Sequence, residues 1–133
     1  MTLRAPQEEV RAERIPDEIK VPSELLLAGN TDKAIKAYLE IRSKNPQDPA
    51  VNENRLNGLG YRFMGDKKYG EAVAVFKLNV ELYPQSWNVY DSLAEAQMMN
   101  GDRELAIVNY ERSLALNPGN ANGARMLKKL KGE

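Results

Sequence analysis

The sequence predicts an all-α fold of about seven helices, packed as a stack of antiparallel helix pairs without a sheet. One observation behind this is a repeat of 34 residues within 54–118, whose paired positions carry similar side chains. The clearest pairs are Leu56 and Tyr90, Leu59 and Leu93, Gly60 and Ala94, Ala72 and Ala106, Phe76 and Tyr110, and Pro84 and Pro118. The other observation is that apolar residues in each copy recur every three or four positions, the spacing of one helix face. A period of roughly 20–50 residues is typical of units that bury their apolar faces by stacking on one another.

Domain boundaries follow from the same register. Residues 1–20 carry no apolar stripe, so we expect a flexible or loosely docked N-terminal tail. The predicted domain, 21–133, consists of a degenerate repeat (21–46), two repeats (49–84 and 87–118) and a C-terminal capping helix (120–131).

The degenerate repeat is predicted to have a short first helix. Pro16 and Pro22 exclude a long one, because proline lacks an amide hydrogen and clashes with the preceding turn. We therefore predict a helix over Ser23–Ala28, closed by Gly29 in the left-handed conformation. Such a short helix would cover its partner poorly and leave apolar area exposed, which predicts possible self-association at this N-terminal end. The residues concerned are Ile35, Tyr38 and Leu39.

The segment that leads into the first full repeat, from Pro46 to Leu56, is four residues longer than the corresponding segment of the next repeat, from Pro84 to Tyr90. Because four residues make about one helical turn and Asp48-Pro49 is a typical helix start, we predict a longer helix over Pro49–Met64. Gly60 is predicted to be the small residue where two helices approach most closely.

Later boundaries are marked by turn residues. Gly65-Asp66 is predicted to turn the chain. Ser86 is predicted to cap a helix over Trp87–Met99, which Gly101 ends.

Composition excludes several kinds of site. The 133 residues include no His and no Cys, which rules out Ser-His-Asp and Cys-His nucleophiles, thiol redox centres and His/Cys zinc sites. Lys plus Arg (19) equals Asp plus Glu (19), so no charge excess indicates nucleic acid. No apolar run approaches the ~20 residues of a membrane span, and the N-terminus is charged. We expect a soluble, cytoplasmic protein that needs no cofactor, metal, nucleic acid or membrane.

The repeat resembles the tetratricopeptide repeat (TPR), a helix-turn-helix unit of 34 residues, over about residues 21–131. The resemblance implies a right-handed superhelical stack. Three stretches look in particular like helical modules at the C-terminal end of some bacterial serine hydrolases and penicillin-binding-like enzymes, although no catalytic motif of those enzymes is present. These stretches are 88–96, 100–107 and 126–130.

The resemblance further implies that function resides in a concave groove lined by the first helix of each repeat, which binds peptides of partner proteins. The groove positions are Asn54, Asn57, Tyr61, Met64, Asn88, Asp91, Glu95, Met98, Arg125 and Lys129. One subset of the family holds a peptide's C-terminal carboxylate in a clamp of Lys, Asn, Asn, Lys and Arg. Those five positions fall on Asn57, Tyr61, Ser92, Asn122 and Met126, so a clamp of this kind is not expected.

Three functions are compatible with these patterns. The first is a non-catalytic protein-interaction module that uses its groove; the second is a structural or oligomerisation module appended to a bacterial hydrolase. An enzyme is the third, but Asp91 and Glu95, four positions apart, fit solvated or ion-paired groove charges better than acid–base catalysis. Methionines at the groove positions could grip a partner or pack between repeats.

The repeat register also predicts ion pairs across the groove. Asp91 aligns with Arg125, and Glu95 with Lys129, so stacking should bring each acid near a base and partly neutralise the groove. Such a groove would prefer a partner with apolar anchors over a strongly charged tail.

Overall fold

Seven α-helices form the secondary structure of residues 21–133, the part of the chain that the computed structural model describes. They are α1 (Pro22–Leu27), α2 (Thr31–Lys44), α3 (Glu53–Gly65), α4 (Tyr69–Leu82), α5 (Trp87–Met99), α6 (Arg103–Leu116) and α7 (Ala121–Leu130). A 3-10 turn, Pro49–Val51, precedes α3, and residues 21–133 contain no strand. The predicted all-α fold is thereby confirmed, whereas the predicted tail, 1–20, lies outside the described residues.

The chain divides into two compact units, the first ending at Leu39 and the second comprising Glu40–Glu133. In the first, α1 begins at Pro22, and Gly29 follows it with φ +85°, which confirms the predicted left-handed cap. Tyr38 is buried, contrary to the expectation that it could be exposed, and Ile35 and Leu39 are half-buried. Self-association at this end stays a prediction.

In the second unit, consecutive helices pack against each other from α3 to α7, and α3 also contacts α5. Small residues allow this close packing. Ala72 and Ala106 are fully buried, and a methyl group on Gly60 would lie 2.2 Å from the Phe76 ring. Gly60 therefore marks a close helix crossing, as predicted.

The four-residue insertion does not extend α3, so the predicted helix Pro49–Met64 is wrong in its first turn. Asn52 is extended (ψ 138°) and separates the 3-10 turn from α3, because its side chain accepts a hydrogen bond from Arg55 N at 3.1 Å and so caps α3. Tyr83 donates to the Val51 carbonyl, and Asn79 Nδ2 donates to the Glu53 carbonyl at 3.0 Å. These bonds hold the insertion against the end of α4 rather than in line with α3.

Two of the predicted helix boundaries use different residues. After α3 the left-handed position is occupied by Lys67 (φ 60°), one residue beyond the predicted Gly65-Asp66 turn. Ser86 lies at the N-cap of α5 but does not cap it with its side chain; its hydroxyl instead donates to Glu53 Oε2 at 2.6 Å. The predicted bounds of α5 are confirmed, as is Gly101 at its end (φ +88°).

Candidate functional site

The candidate site is the surface formed by α3, α5 and α7, which we call the groove. Two hydrogen bonds join α3 to α5 across it. Ser92 Oγ donates to Asn57 Oδ1 at 2.7 Å, and the Tyr61 hydroxyl donates to Glu95 Oε1 at 2.8 Å. Tyr61 and Glu95, both among the predicted groove residues, are 34 positions apart and so occupy aligned positions of successive repeats.

Tyr61 is held on two sides and yet remains 37% exposed. Its ring packs edge-on against Phe76, with the ring centroids 5.2 Å apart, while Glu95 accepts from its hydroxyl. Burial raises the pKa of the Tyr61 hydroxyl, and the nearby Glu95 carboxylate raises it further, so this group remains a protonated donor. The side chain is thus a fixed aromatic face at the surface.

Asp91 is the buried acid of the groove, only 7% exposed. Its carboxylate accepts from Asn120 Nδ2 at 2.7 Å and from Asn122 Nδ2 at 3.3 Å. Asn120 also donates to Ser113 Oγ at 2.9 Å and caps α7 by accepting from Gly123 N at 3.1 Å. One buried amide therefore links α5, α6 and α7, which fixes the capping helix against the groove.

The predicted ion pairs across the groove do not form. Arg125 donates to Asn122 Oδ1 at 2.7 Å, one turn back in its own helix, instead of reaching Asp91. Glu95 is bonded to Tyr61 rather than to Lys129, which is exposed. The carboxylates of α5 thus contact neutral amide and hydroxyl groups, and the groove is acidic on α5 and basic on α7.

Tyr110 lies under this acidic part and was missed as a candidate site residue. Its side chain is 0% exposed, and its hydroxyl has no hydrogen-bond partner. Burial raises the pKa of this hydroxyl, as do the fields of Asp91 and Glu95, whereas Arg125 lowers it. One feature of the sequence points to Tyr110: the aligned residue of the preceding repeat is Phe76, which has no hydroxyl group and so needs no hydrogen-bond partner.

The remaining predicted residues are distributed unevenly. Asn54 is exposed and lines a separate cavity of about 460 Å³ beside the insertion, together with Arg42 and Tyr83. Asn88 and Met64 are half-buried. Met98 packs against the buried cluster of Ala94, Ala106 and Tyr110, which favours packing between repeats over contact with a partner.

The five clamp positions carry no charge, as the sequence already indicated. Asn57 and Ser92 are bonded to each other, and Asn122 is bonded to Asp91 and Arg125. Met126 packs against the same cluster as Met98. Within the described range there is also no group of acidic side chains placed to hold a metal ion, and no helix that could cross a membrane.

Neither a protein-family model nor a curated protein matches the sequence. Among solved structures, the first TPR domain of Spaghetti (RPAP3), bound to an HSP90 peptide, is similar with a TM-score of 0.60 and 23% identity, over 84% of this chain and 85% of that one. MamA is similar with a TM-score of 0.59 and 25% identity, over 86% of this chain and 64% of that one. The Sgt2 TPR domain from Aspergillus fumigatus is similar with a TM-score of 0.59 and 19% identity, over 84% of this chain and 72% of that one.

These similarities establish the architecture. The neighbours are TPR domains built from stacked helix pairs, and each alignment covers more than four fifths of this chain. Together with the helix order of the described residues, they confirm the predicted solenoid. The chain therefore has the fold of a tetratricopeptide-repeat domain.

Proposed function

We propose that this protein is a non-catalytic interaction module whose groove binds an extended or helical segment of a partner protein. The observation that carries this proposal is Tyr61, an aromatic side chain that is fixed by Glu95 and Phe76 and still 37% exposed. Aromatic anchors contribute much of the energy of protein interfaces, and a side chain that is already ordered loses little entropy on binding. Tyr61 has both properties.

Polar groups beside Tyr61 support a peptide as the occupant. Asn57 and Asn88 lie on α3 and α5. Asn57 uses its oxygen to accept from Ser92, which leaves its Nδ2 as a donor, and the Asn88 amide combines a donor and an acceptor. Such groups can pair with the backbone of an extended segment while pockets between them select side chains.

The similarity to the RPAP3 domain supports peptide binding in the same fold. That domain is bound to an HSP90 peptide. In this chain the positions of the carboxylate clamp are occupied by uncharged side chains, so we expect a partner of different chemistry.

Replacing Tyr61 tests the proposal. The immobilised full chain would be used to select binders from a displayed library of peptides that represents a whole proteome, and the affinity of each selected peptide would be measured for Tyr61→Ala. We expect a loss of about tenfold or more, the range of an interface anchor. Trp87→Ala is the matched control, because Trp87 is equally exposed at 37% but is not a groove position. The proposal would be contradicted if both variants lost the same affinity, or if the selected peptides bound both variants as tightly as the wild type.

The acids of the groove are not equally suitable for such tests. Asp91 is buried and accepts from Asn120 and Asn122, so Asp91→Ala would strand two donors and cost about 1–3 kcal/mol of stability. Removing Asp91 and Glu95 together is therefore expected to lower the stability of the free protein. Glu95, which is half-buried, is the acid to replace when binding is measured.

A second candidate function is a structural or oligomerisation module, for example one appended to a bacterial hydrolase. It is favoured by α6, which leaves Leu105 51%, Val108 47% and Leu116 41% exposed. Exposed apolar area of this kind often marks a contact surface. Light scattering of the wild type and of a Leu105→Lys, Val108→Lys variant decides: an oligomer that the variant converts to monomer favours this function, and a monomer in both cases removes its support.

A further inference from the structure

The centre of the groove combines uncompensated negative charge with a buried hydroxyl that has no partner. We propose that it receives a basic side chain, lysine or arginine, from the bound segment. This inference rests on the proposed function and specifies the chemistry of the partner.

The charge argument concerns α5. Asp91 and Glu95 are the charged residues of this helix, and both are acids. Their hydrogen-bond partners are the amides of Asn120 and Asn122 and the hydroxyl of Tyr61, all neutral. Buried or partly buried carboxylates are normally compensated by a cation. The bases that the repeat aligns with them, Arg125 and Lys129, provide no such contact here.

Tyr110 provides the second, independent observation. Its hydroxyl is closed to solvent and lacks any hydrogen-bond partner. Burial raises the pKa of this hydroxyl most, and Asp91 and Glu95 raise it further. Phe76, at the aligned position one repeat earlier, fills the same structural role without a hydroxyl. Core packing therefore does not require this oxygen, and a buried hydroxyl without a partner is unfavourable. A ligand that pairs with it would account for its presence.

A basic side chain matches both observations. Ammonium and guanidinium groups carry several N–H donors and no acceptor. Such a group can donate to the half-buried Glu95, whose second oxygen has no partner, and as side chains around it shift it can donate to the Tyr110 oxygen. The exposed ring of Tyr61 lies beside Glu95 and offers a face for a cation–π contact. An acidic side chain would instead meet two like charges.

The test uses four libraries of nine-residue peptides, randomised except at the centre, which is lysine, arginine, norleucine or glutamate. Binding to the full chain is measured by NMR titration, which also locates it. We expect the lysine and arginine libraries to bind about tenfold more tightly than the norleucine library, a difference typical of a charge-assisted contact, with signals shifted on α3, α5 and α7. Glu95→Gln should abolish this preference, whereas Glu81→Gln, an exposed acid of α4, should preserve it.

Tyr110→Phe separates binding from packing. Because it removes an unsatisfied hydroxyl, we expect it to raise the melting temperature of the free protein and to weaken binding of the lysine library about threefold to tenfold. Tyr90→Phe is the control, since the Tyr90 hydroxyl already donates to the Pro84 carbonyl at 2.9 Å; it should lower the melting temperature and leave binding unchanged.

The outcomes are distinguishable. If all four libraries bind the groove equally, or if Tyr110→Phe leaves the affinity of the lysine library unchanged, the inference is overturned while the proposed function stands. If no library shifts any signal of α3, α5 or α7, both are overturned.

Discussion

In the turn after α3, a lysine adopts the left-handed conformation. In the aligned turn after α5, one repeat later, a glycine adopts it. Lys67 has φ 60°, whereas the aligned Gly101 has φ +88°. Both close their helix in the same way: Lys68 N donates to the Phe63 carbonyl at 2.8 Å, as Asp102 N does to the Gln97 carbonyl. The same turn therefore contains a strained residue in one repeat and an unstrained one in the next.

Relieving this strain should stabilise the protein. We expect Lys67→Gly to raise the free energy of unfolding by about 1 kcal/mol, because a side chain disfavours the left-handed region. Urea denaturation measures the change. Lys77→Gly is the control: Lys77 is an exposed residue inside α4, so glycine there adds freedom to the unfolded chain and should be destabilising. If both variants changed the free energy of unfolding in the same direction, the backbone of Lys67 would not be strained.

At the scale of helix pairs, the crossing of α3 and α4 depends on a missing side chain. A methyl group at Gly60 would lie 2.2–2.7 Å from three Phe76 ring atoms, while one at Gly58, in the same helix, would meet nothing within 4 Å. We expect Gly60→Ala to destabilise by about 1–3 kcal/mol through overpacking. Gly58→Ala should stabilise by up to about 1 kcal/mol through helix propensity. If thermal melts showed Gly60→Ala to be the more stable of the two variants, the close approach of α3 and α4 would not be at Gly60.

The attachment of α7 depends on Asn120, whose amide bonds to both Asp91 and Ser113 while its oxygen caps the helix. Asn120→Asp keeps the cap, since aspartate is an equally good N-cap, but replaces the donor to Asp91 with an acceptor. We expect a loss of about 2–4 kcal/mol at neutral pH, because two carboxylates then face each other.

The pH dependence identifies the cause of this loss. Repulsion raises the pKa of one of the two carboxyl groups in the folded variant, so its protonation on lowering the pH should recover part of the stability. Asn117→Asp is the control, because the Asn117 side chain accepts a hydrogen bond from the exposed Gly119 amide and does not contact Asp91. Unfolding curves with the same pH dependence for both variants would exclude the contact.

The sequence was sufficient for the fold, because its 34-residue period fixes which residues of successive helices lie side by side. Tyr61 and Glu95 are an example: their register placed them together, and they are bonded. Register does not determine which of two partners a flexible side chain selects. Arg125 has its own helix neighbour Asn122 within reach and bonds to it rather than to Asp91. The predicted start of α3 was wrong for a similar reason: Asn52 could cap a helix or continue one, and contacts with α4 decide between the two.

At the scale of the whole molecule, α7 closes the array. Met126, Leu127 and Leu130 pack against the buried cluster of Ala94, Ala106 and Tyr110, whereas Ala124 of the same helix is exposed. Arg103 donates to the Leu130 carbonyl, and Lys131 pairs with Glu111 at 3.0 Å, so the C-terminal end of α7 is also tied to α6. In a linear array each helix is stabilised mainly by its neighbours.

Damage to α7 should therefore spread only as far as those neighbours. We expect Leu127→Lys with Leu130→Lys to remove hydrogen-exchange protection from α7 and reduce it in α6 and the end of α5, while α3 and α4 stay protected. Ala124→Lys, at an exposed position of the same helix, should change none of these. If the double variant instead lowers protection equally from α3 to α7, the second unit unfolds as a single cooperative block, and the nearest-neighbour description of this array is wrong.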